Sequence, residues 1–220
     1  VETTEGNFEG FIQWDQSECT SIDVLDGDDR TLAMGEILSL TKNGRGDSDI
    51  VQKNGQTLTL SGTNDVGRGN RGVMVENEAW GRVTVAWNRF QAITFAEGHG
   101  SGLGRDDYPA NEALAGTVTG SGGETWSGRI VYDLDEALTR DLFNGAVRDL
   151  EYDIPFALIA SIEKMDDETC RVRLASGQVL ELGESQDTGA KHAGLLVFAA
   201  PGQEPTYLPW SRVATITFSP

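Results

Sequence analysis

The sequence is poor in cysteine, proline and lysine, and it contains no long apolar run. Its two cysteines, Cys19 and Cys170, form no CxxC pair, which argues against a zinc site or a thioredoxin-like redox motif. They are either joined in one disulfide, if the protein is exported, or are two buried free thiols. No apolar stretch approaches the length of a bilayer crossing, so we expect no membrane span.

Positive charge is also scarce. The 17 Lys and Arg residues stand against 35 Asp and Glu residues, which gives a formal net charge of −18. This charge repels phosphate groups, so nucleic acid and anionic membranes are poor partners. It favours cationic ligands such as Ca²⁺ or a basic protein patch, and it is equally typical of a solvated surface. The chain begins at Val1 without Met, as a processed protein does, and we expect an extracytoplasmic location.

The same pattern occurs twice in the chain. Residues 10–18 match 128–136, 32–40 match 154–162, 55–60 match 177–182, and 87–95 match 210–218. Because these matches keep their order and most of their spacing, we predict two tandem copies of one module. The copies are residues 1–95 and 114–220, and a glycine-rich linker joins them at 96–113.

Short segments of alternating polarity between turn residues predict an all-β fold. Each copy is expected to be a small antiparallel β-barrel or sandwich. In the first copy the predicted strands are 32–42, 49–53, 56–61, 72–77, 82–87 and 90–95.

One short helix is predicted after the first strand of each copy. In the second copy, Asp133 and Glu136 have the spacing of a capping box. Leu134, Leu138 and Leu142 follow at the spacing of one helix face. Gly145 would end this helix in a left-handed conformation. The first copy has Asp15, Glu18 and Gly27 at the same places.

Two polar, glycine-rich loops at equivalent places, 63–72 and 185–194, are candidates for ligand binding. Loops on a rigid scaffold often carry binding residues. An Asp side chain that bonds the nearby backbone of a turn explains the same pattern without a ligand. The predicted ligand-binding residues are Asp65, Arg68, Asn70, Arg71, Asp187, Lys191 and His192.

Acidic residues are densest just after the first strand of each copy, which suggests a cation site. Asp23 and Asp26, with their counterparts Asp141 and Asn144, are candidate oxygen ligands for Ca²⁺. Their spacing does not fit an EF-hand loop. The alternative is that these side chains only cap the predicted helix and complement its dipole. No other cofactor is expected.

Five tryptophans divide into two groups. Trp87 and Trp210 occupy equivalent places and are expected in the core. Trp14, Trp80 and Trp126 are candidates either for the core or for a carbohydrate-stacking face.

Catalytic signatures are weak. Asp15 and Glu18 are the best carboxylate pair for a hydrolase. The only histidines, His99 and His192, do not match between the copies, which argues against a Ser-His-Asp set. The tripeptide beginning at Arg45 resembles an integrin-binding motif, but so short a match arises easily by chance.

We therefore expect a non-catalytic, extracytoplasmic binding or structural protein that contacts a protein partner or associates with itself. Two similar surfaces on one chain would give bivalent contact. The alternatives are a Ca²⁺- or carbohydrate-binding module and a carboxylate-dependent hydrolase.

Overall fold

The structure, a computed structural model, describes residues 1–97 and 111–219. The predicted all-β fold class is confirmed. Within these residues the only helical segments are single 3₁₀ turns at Met34–Glu36, Phe156–Leu158 and Trp210–Arg212. Most of the predicted linker 96–113, including His99, lies outside the described residues.

Twenty strands follow one another along the described chain. The first ten are β1 Glu2–Thr3, β2 Phe11–Trp14, β3 Val24–Asp26, β4 Thr31–Ala33, β5 Ile37–Lys42, β6 Ser48–Gln52, β7 Thr57–Leu60, β8 Val73–Asn77, β9 Gly81–Val85 and β10 Phe90–Thr94. The second ten are β11 Ala115–Gly120, β12 Thr125–Val131, β13 Leu142–Val147, β14 Leu150–Pro155, β15 Ile159–Lys164, β16 Cys170–Leu174, β17 Val179–Leu182, β18 Leu195–Phe198, β19 Thr206–Leu208 and β20 Val213–Phe218. The strands predicted for the first copy are present, except that a 3₁₀ turn divides 32–42 into β4 and β5.

The described chain forms two compact units. The first contains residues 1–77, 82–97 and 148–150, and the second contains 78–81, 111–147 and 151–219.

The first unit contains a five-stranded antiparallel sheet with the strand order β1-β10-β5-β6-β7. In addition, β2 pairs with β8, and β3 pairs with β4. The burial of alternate residues follows from the pleat, because successive side chains point to opposite faces. Trp14, Trp87 and Phe90 form an aromatic cluster in the core, with Trp87 stacked on Phe90 at 4.9 Å.

The second unit contains an eight-stranded sheet with the order β17-β16-β15-β20-β11-β12-β18-β19. Strand β13 lies beside β14. The core again has an aromatic centre, made of Tyr132, Phe143, Phe156 and Trp210.

The predicted helix after the first strand of each copy is wrong. Residues 133–141 form turns and two isolated β-bridges, and strand β13 begins at Leu142. Asp133 and Leu134 have φ values of 46° and 69°, which a right-handed helix cannot use. Leu134 and Leu138 are 44% and 38% exposed, so their spacing marks no buried helix face. In the first copy, Asp15 also has a positive φ, of 44°.

Both cysteines are free; Cys19 is exposed and Cys170 is buried. Burial raises the pKa of the Cys170 thiol to about 12. Among residues 1–97 and 111–219, no helix has the length and apolar content needed to cross a membrane.

Candidate functional site

The two predicted binding loops connect equivalent strands. The first loop is residues 63–72, between β7 and β8, and the second loop is residues 185–194, between β17 and β18. In the first loop the Asn70 N–H donates to the Gly67 carbonyl oxygen over 3.1 Å. In the second, the His192 N–H donates to the Gly189 carbonyl oxygen, also over 3.1 Å. The two loops therefore share this turn.

In each unit a tight turn, which follows β2 or β12, carries an Asp side chain toward the loop. In the first unit, the Trp14 and Glu18 backbones close this turn through N–H···O bonds of 2.7 and 3.0 Å. Asp15, inside the turn, accepts a hydrogen bond of 2.5 Å from the Arg71 N–H. Asp133, at the same place in the second unit, accepts one from the Ala193 N–H. Both buried carboxylates thus hold the end of their loop.

Asp65 is the centre of the first loop. Its carbonyl oxygen accepts hydrogen bonds from Trp14 Nε1 and from Asn70 Nδ2, each at 2.9 Å. Its Oδ2 accepts the Asp26 N–H at 2.8 Å. Asn70 Oδ1 in turn accepts the Gly72 N–H at 2.7 Å. We call Trp14, Asp15, Asp26 and the first loop the first loop site.

Asp187 has the same place in the second loop. Its carbonyl oxygen accepts the Tyr132 hydroxyl at 2.5 Å, and its Oδ2 accepts the Asn144 N–H at 2.6 Å. His192 Nδ1 accepts the Gly194 N–H at 2.9 Å. We call Tyr132, Asp133, Asn144 and the second loop the second loop site.

The His192 ring is fully buried and lies parallel to the Trp210 ring, with 4.0 Å between centroids. Burial lowers the pKa of His192 to about 3, so the ring is neutral. Because Nδ1 accepts the Gly194 N–H, the proton is on Nε2. The 3.4 Å separation of Nδ1 from Asp133 Oδ1 is therefore not an ion pair. Nε2 has no hydrogen-bond partner among the described residues.

A glutamate with a raised pKa lies beside each loop. Burial, with nearby Asp65 and Asp15, raises the pKa of Glu18. Burial, a hydrogen bond with Asp135 and the charge of Asp187 raise the pKa of Glu136 to about 8. Within the described part of the chain, one buried carboxylate oxygen of each glutamate has no hydrogen-bond partner. Burial also raises the pKa of Asp187 to about 6.

The structure divides the predicted ligand-binding residues into two groups. Asp65, Asn70, Asp187 and His192 use polar atoms to hold their own loops. Arg71 also bonds within its unit, since its guanidinium contacts Asp15 at 3.3 Å. The exposed Arg68 and Lys191 make no hydrogen bond or ion pair to another described residue.

Two of the four candidate Ca²⁺ ligands, Asp23 and Asp141, hold turns. Asp23 Oδ2 accepts the N–H groups of Cys19 and Thr20, at 2.8 and 2.7 Å. Asp141 Oδ2 likewise accepts those of Ala137 and Leu138, at 2.7 and 2.9 Å. Asn144 Nδ2 donates to Asp153, and Asp26 is exposed. In the described part of the chain, no group of three His, Cys, Asp or Glu side chains is arranged to hold a metal ion.

The tryptophans separate by burial. Trp87 and Trp210 are in the core, as expected, and Trp14 is also fully buried, so it offers no carbohydrate-stacking surface. Trp126 is partly exposed and has the Arg212 guanidinium 5.5 Å from its ring centroid. Trp80 is partly exposed as well.

Sequence reasoning missed the residues that hold the loops. Asp15 and Asp133 are predicted to cap helices but instead accept backbone N–H groups of the loops, and sequence reasoning assigns no role to Tyr132, whose hydroxyl bonds the second loop. The available signal is the match of these positions between the two predicted copies, which a shared structural role would explain. Comparison with protein-family models, with curated proteins and with solved structures found no match to this chain.

Proposed function

We propose that this chain is a non-catalytic, extracytoplasmic binding or structural protein built from a duplicated β module. The observation that carries the proposal is the use of the polar groups in both loop sites. Asp15, Asp65, Asp133 and Asp187 all accept backbone N–H groups of their own unit. Carboxylates in this role hold a scaffold and are not free to act on a substrate.

Duplication is supported by hydrogen bonds that recur at matched positions. The bond from the Asp26 N–H to Asp65 has its counterpart in the bond from the Asn144 N–H to Asp187. A second hydrogen bond also recurs. Thr63 Oγ1 donates to the Asp26 carbonyl oxygen, and Ser185 Oγ donates to the Asn144 carbonyl oxygen, both at 2.6 Å. Matched positions thus share hydrogen-bond geometry even where their residues differ.

Binding is assigned to the side chains that the scaffold leaves free. Arg68 and Lys191 are exposed on the two loops. Two related loops presented by one chain suit contact with a protein partner at two points. The extracytoplasmic location is part of this proposal, and its support is the net charge of −18, which suits a well-solvated surface.

The test is site-specific photo-crosslinking of the full chain in cells that express it. A photoreactive residue at Arg68 or at Lys191 is expected to form protein adducts. The same residue at the exposed Thr217, on strand β20, is the matched control and should form none. Absence of adducts from both loops, or equal adducts from the control, would overturn the proposal.

The first alternative is a module that binds Ca²⁺ or carbohydrate. The partly exposed Trp126 and the acidic residues near Asp26 favour it over other small-ligand functions. A melting temperature raised by millimolar Ca²⁺, or glycan-array binding that Trp126→Ala abolishes, would support this alternative.

The second alternative is a carboxylate-dependent hydrolase. Its supporting observation is the pKa of Glu136, which is raised to about 8 near Asp187. A raised carboxyl pKa is typical of a general acid. One oxygen of Glu136 is buried and has no hydrogen-bond partner in the part of the chain that the structure describes, which argues against access for a substrate. Turnover of glycoside or ester substrates that Glu136→Gln abolishes, in a folded variant, would support this alternative.

A further inference from the structure

We infer that the chain associates with a second copy of itself through two oppositely charged hairpin tips. The basic tip is turn 43–47 with Arg68, in the first unit. The acidic tip is turn 165–169, in the second unit. The inference rests on the proposed binding function and names the partner.

The two tips occupy the same place in their units. Each is a five-residue turn between paired strands, closed by the pairs Lys42–Ser48 and Lys164–Cys170. The first residue after each turn contacts the adjacent loop: Ser48 Oγ donates to the Val66 carbonyl oxygen, and Cys170 Sγ to that of Thr188. Charge differences between the tips are therefore differences on one scaffold.

The basic tip exposes two guanidinium groups. Asn43 Oδ1 fixes the turn by accepting the Arg45 and Asp47 N–H groups, at 3.0 and 3.2 Å. The Arg68 side chain crosses Gly46, because a β-carbon built on Gly46 would lie 3.3 Å from Arg68 Nε. Arg45 and Arg68 are exposed and, among the described residues, neither makes an ion pair. Within the described residues, these two guanidinium groups without an ion pair outnumber the one acidic residue of the turn, Asp47, on a chain of net charge −18.

The acidic tip reverses the charge at the matched position. The third residue of the turn is Arg45 in the first unit and Asp167 in the second, and the fourth is Gly46 or Glu168. Asp167 is 83% exposed, although it also contacts Lys164 at 2.9 Å. Glu168 is exposed and lies against the second loop, where its Oε2 would be 3.4 Å from a β-carbon on Gly189.

Charge complementarity selects a second copy as the occupant. Guanidinium groups form bidentate hydrogen bonds with carboxylates. The acidic tip supplies two carboxylates for the two guanidinium groups of the basic tip: Asp167 and Glu168 for Arg45 and Arg68. Since every chain carries both tips, the contact joins different surfaces and can extend beyond a dimer.

Salt dependence follows from two opposing charge effects. Repulsion between two highly acidic chains acts over long distances and weakens once the screening length falls to about 10 Å, near 0.1 M salt. The tip pairs act at contact distance and weaken when that length falls to about 3 Å, near 1 M salt. Association is therefore expected to be greatest at intermediate salt. Association driven by apolar surfaces would instead persist or increase at high salt.

The experiment measures the mass of the full chain by sedimentation velocity across this salt range. Wild type is expected to associate at intermediate salt. Arg45→Glu with Arg68→Glu, and separately Asp167→Lys with Glu168→Lys, should each weaken self-association by about tenfold or more. Mixing the two variants should restore association, because each then supplies the tip that the other needs. Arg82→Glu with Arg173→Glu, at exposed positions outside the tips, has the same charge change as Arg45→Glu with Arg68→Glu; it is the control for that variant and should behave as wild type.

Wild type that stays monomeric at all salt concentrations would overturn the inference. Association that both reversed variants retain, or that the mixture fails to restore, would also overturn it. Circular dichroism of each variant shows whether a loss of association is a loss of folding. Photo-crosslinking separates this failure from failure of the proposed function, because adducts to a different protein would leave the binding function standing.

Discussion

Each loop site provides hydrogen-bond donors to the carbonyl oxygen of a loop Asp, but the two sites use different side chains. In the first, the Asp65 carbonyl oxygen receives two donors, Trp14 Nε1 and Asn70 Nδ2. In the second, the Tyr132 hydroxyl is the donor found for the Asp187 carbonyl oxygen among the described residues. A buried carbonyl oxygen without a donor is destabilising. In each loop site, the aromatic side chain and the side chain inside the loop must therefore supply that donor between them.

His192 shows what this difference implies. An Asn side chain both accepts from the following glycine and donates to the loop, as Asn70 does. A neutral His keeps the acceptor at Nδ1 but directs its remaining N–H elsewhere, and Nε2 has no partner among the described residues. The second loop site therefore has His192 stacked on Trp210 where the first has the hydrogen bond from Asn70 to the Asp65 carbonyl oxygen. The shared backbone bonds fix the loop, and the side chains around them can vary.

The largest expected effect is one that both loop sites share. Gly72 and Gly194 have φ values of 106° and 98°. A β-carbon there would lie 2.5 or 2.6 Å from the carbonyl oxygen of Val85 or Leu208, which is backbone and cannot move easily. We expect Gly72→Ala and Gly194→Ala each to lower the free energy of unfolding by about 3–5 kcal/mol. Urea unfolding followed by circular dichroism measures this.

The matched controls are Gly55→Ala and Gly177→Ala. These glycines also have positive φ, 85° and 89°, but a β-carbon on either would meet no atom within 4 Å. Only the backbone conformation is then unfavourable, at about 1–2 kcal/mol. Equal losses at loop and control glycines would contradict the close backbone approach at the two loop sites.

A smaller effect is expected to differ between the sites. Tyr132→Phe removes the hydroxyl that donates to the Asp187 carbonyl oxygen, so we expect a loss of about 1–3 kcal/mol in the free energy of unfolding. Adding His192→Asn should recover part of that loss, since Asn can donate to this carbonyl as Asn70 donates to Asp65. A double-mutant cycle should give a favourable coupling of about 0.5–1.5 kcal/mol.

His192→Asn alone serves as the reference, because it also removes the stacking on Trp210. If the effects of the two changes on the free energy of unfolding are additive, residues 132 and 192 do not depend on each other for the donor to the Asp187 carbonyl oxygen, and this prediction is wrong.

Sequence periodicity predicted the strands because their burial alternates with the pleat. Thr57–Leu60 and Val179–Leu182 are both strands with one buried Leu at the end. The same reasoning failed after the first strand, where the Asp133–Glu136 spacing fits both a capping box and a tight turn. Nothing local distinguishes them, because the partner that fixes Asp133 is the N–H of Ala193, far along the chain.

The candidate sites could be predicted only in part for a similar reason. The sequence located both loops correctly, since glycine and Asp are typical of turns. Which side chains stay free depends on contacts over long sequence distances, such as Trp14 with Asp65 and Tyr132 with Asp187. Those contacts occupy Asp65 and Asp187 and leave Arg68 exposed, which composition and spacing alone do not reveal.

The smallest expected effect is a difference in pH dependence. The pKa of Glu136 is about 8 in the folded chain and near 4.5 when the side chain is in water. The folded chain then binds more protons than the unfolded chain between these values, so stabilisation is complete below about pH 4.5 and is lost as the pH rises through 8. Solvent screens this partly exposed group, and we expect a fall in melting temperature on the order of 2–4 °C from pH 5 to pH 9.

Glu136→Gln should remove most of that fall, because Gln stays neutral throughout. Glu18→Gln should remove less, since Glu18 has a raised pKa from burial without the hydrogen bond that Asp135 adds in the second unit. Glu204→Gln, at an exposed position, controls for the change in net charge and should remove none. Hydrogen exchange of the Ala193 amide reports on the second loop site alone, and its protection should fall over the same pH interval. A pH dependence unchanged by Glu136→Gln would show that this carboxyl is not the group that titrates, and that the two loop sites do not differ in this respect.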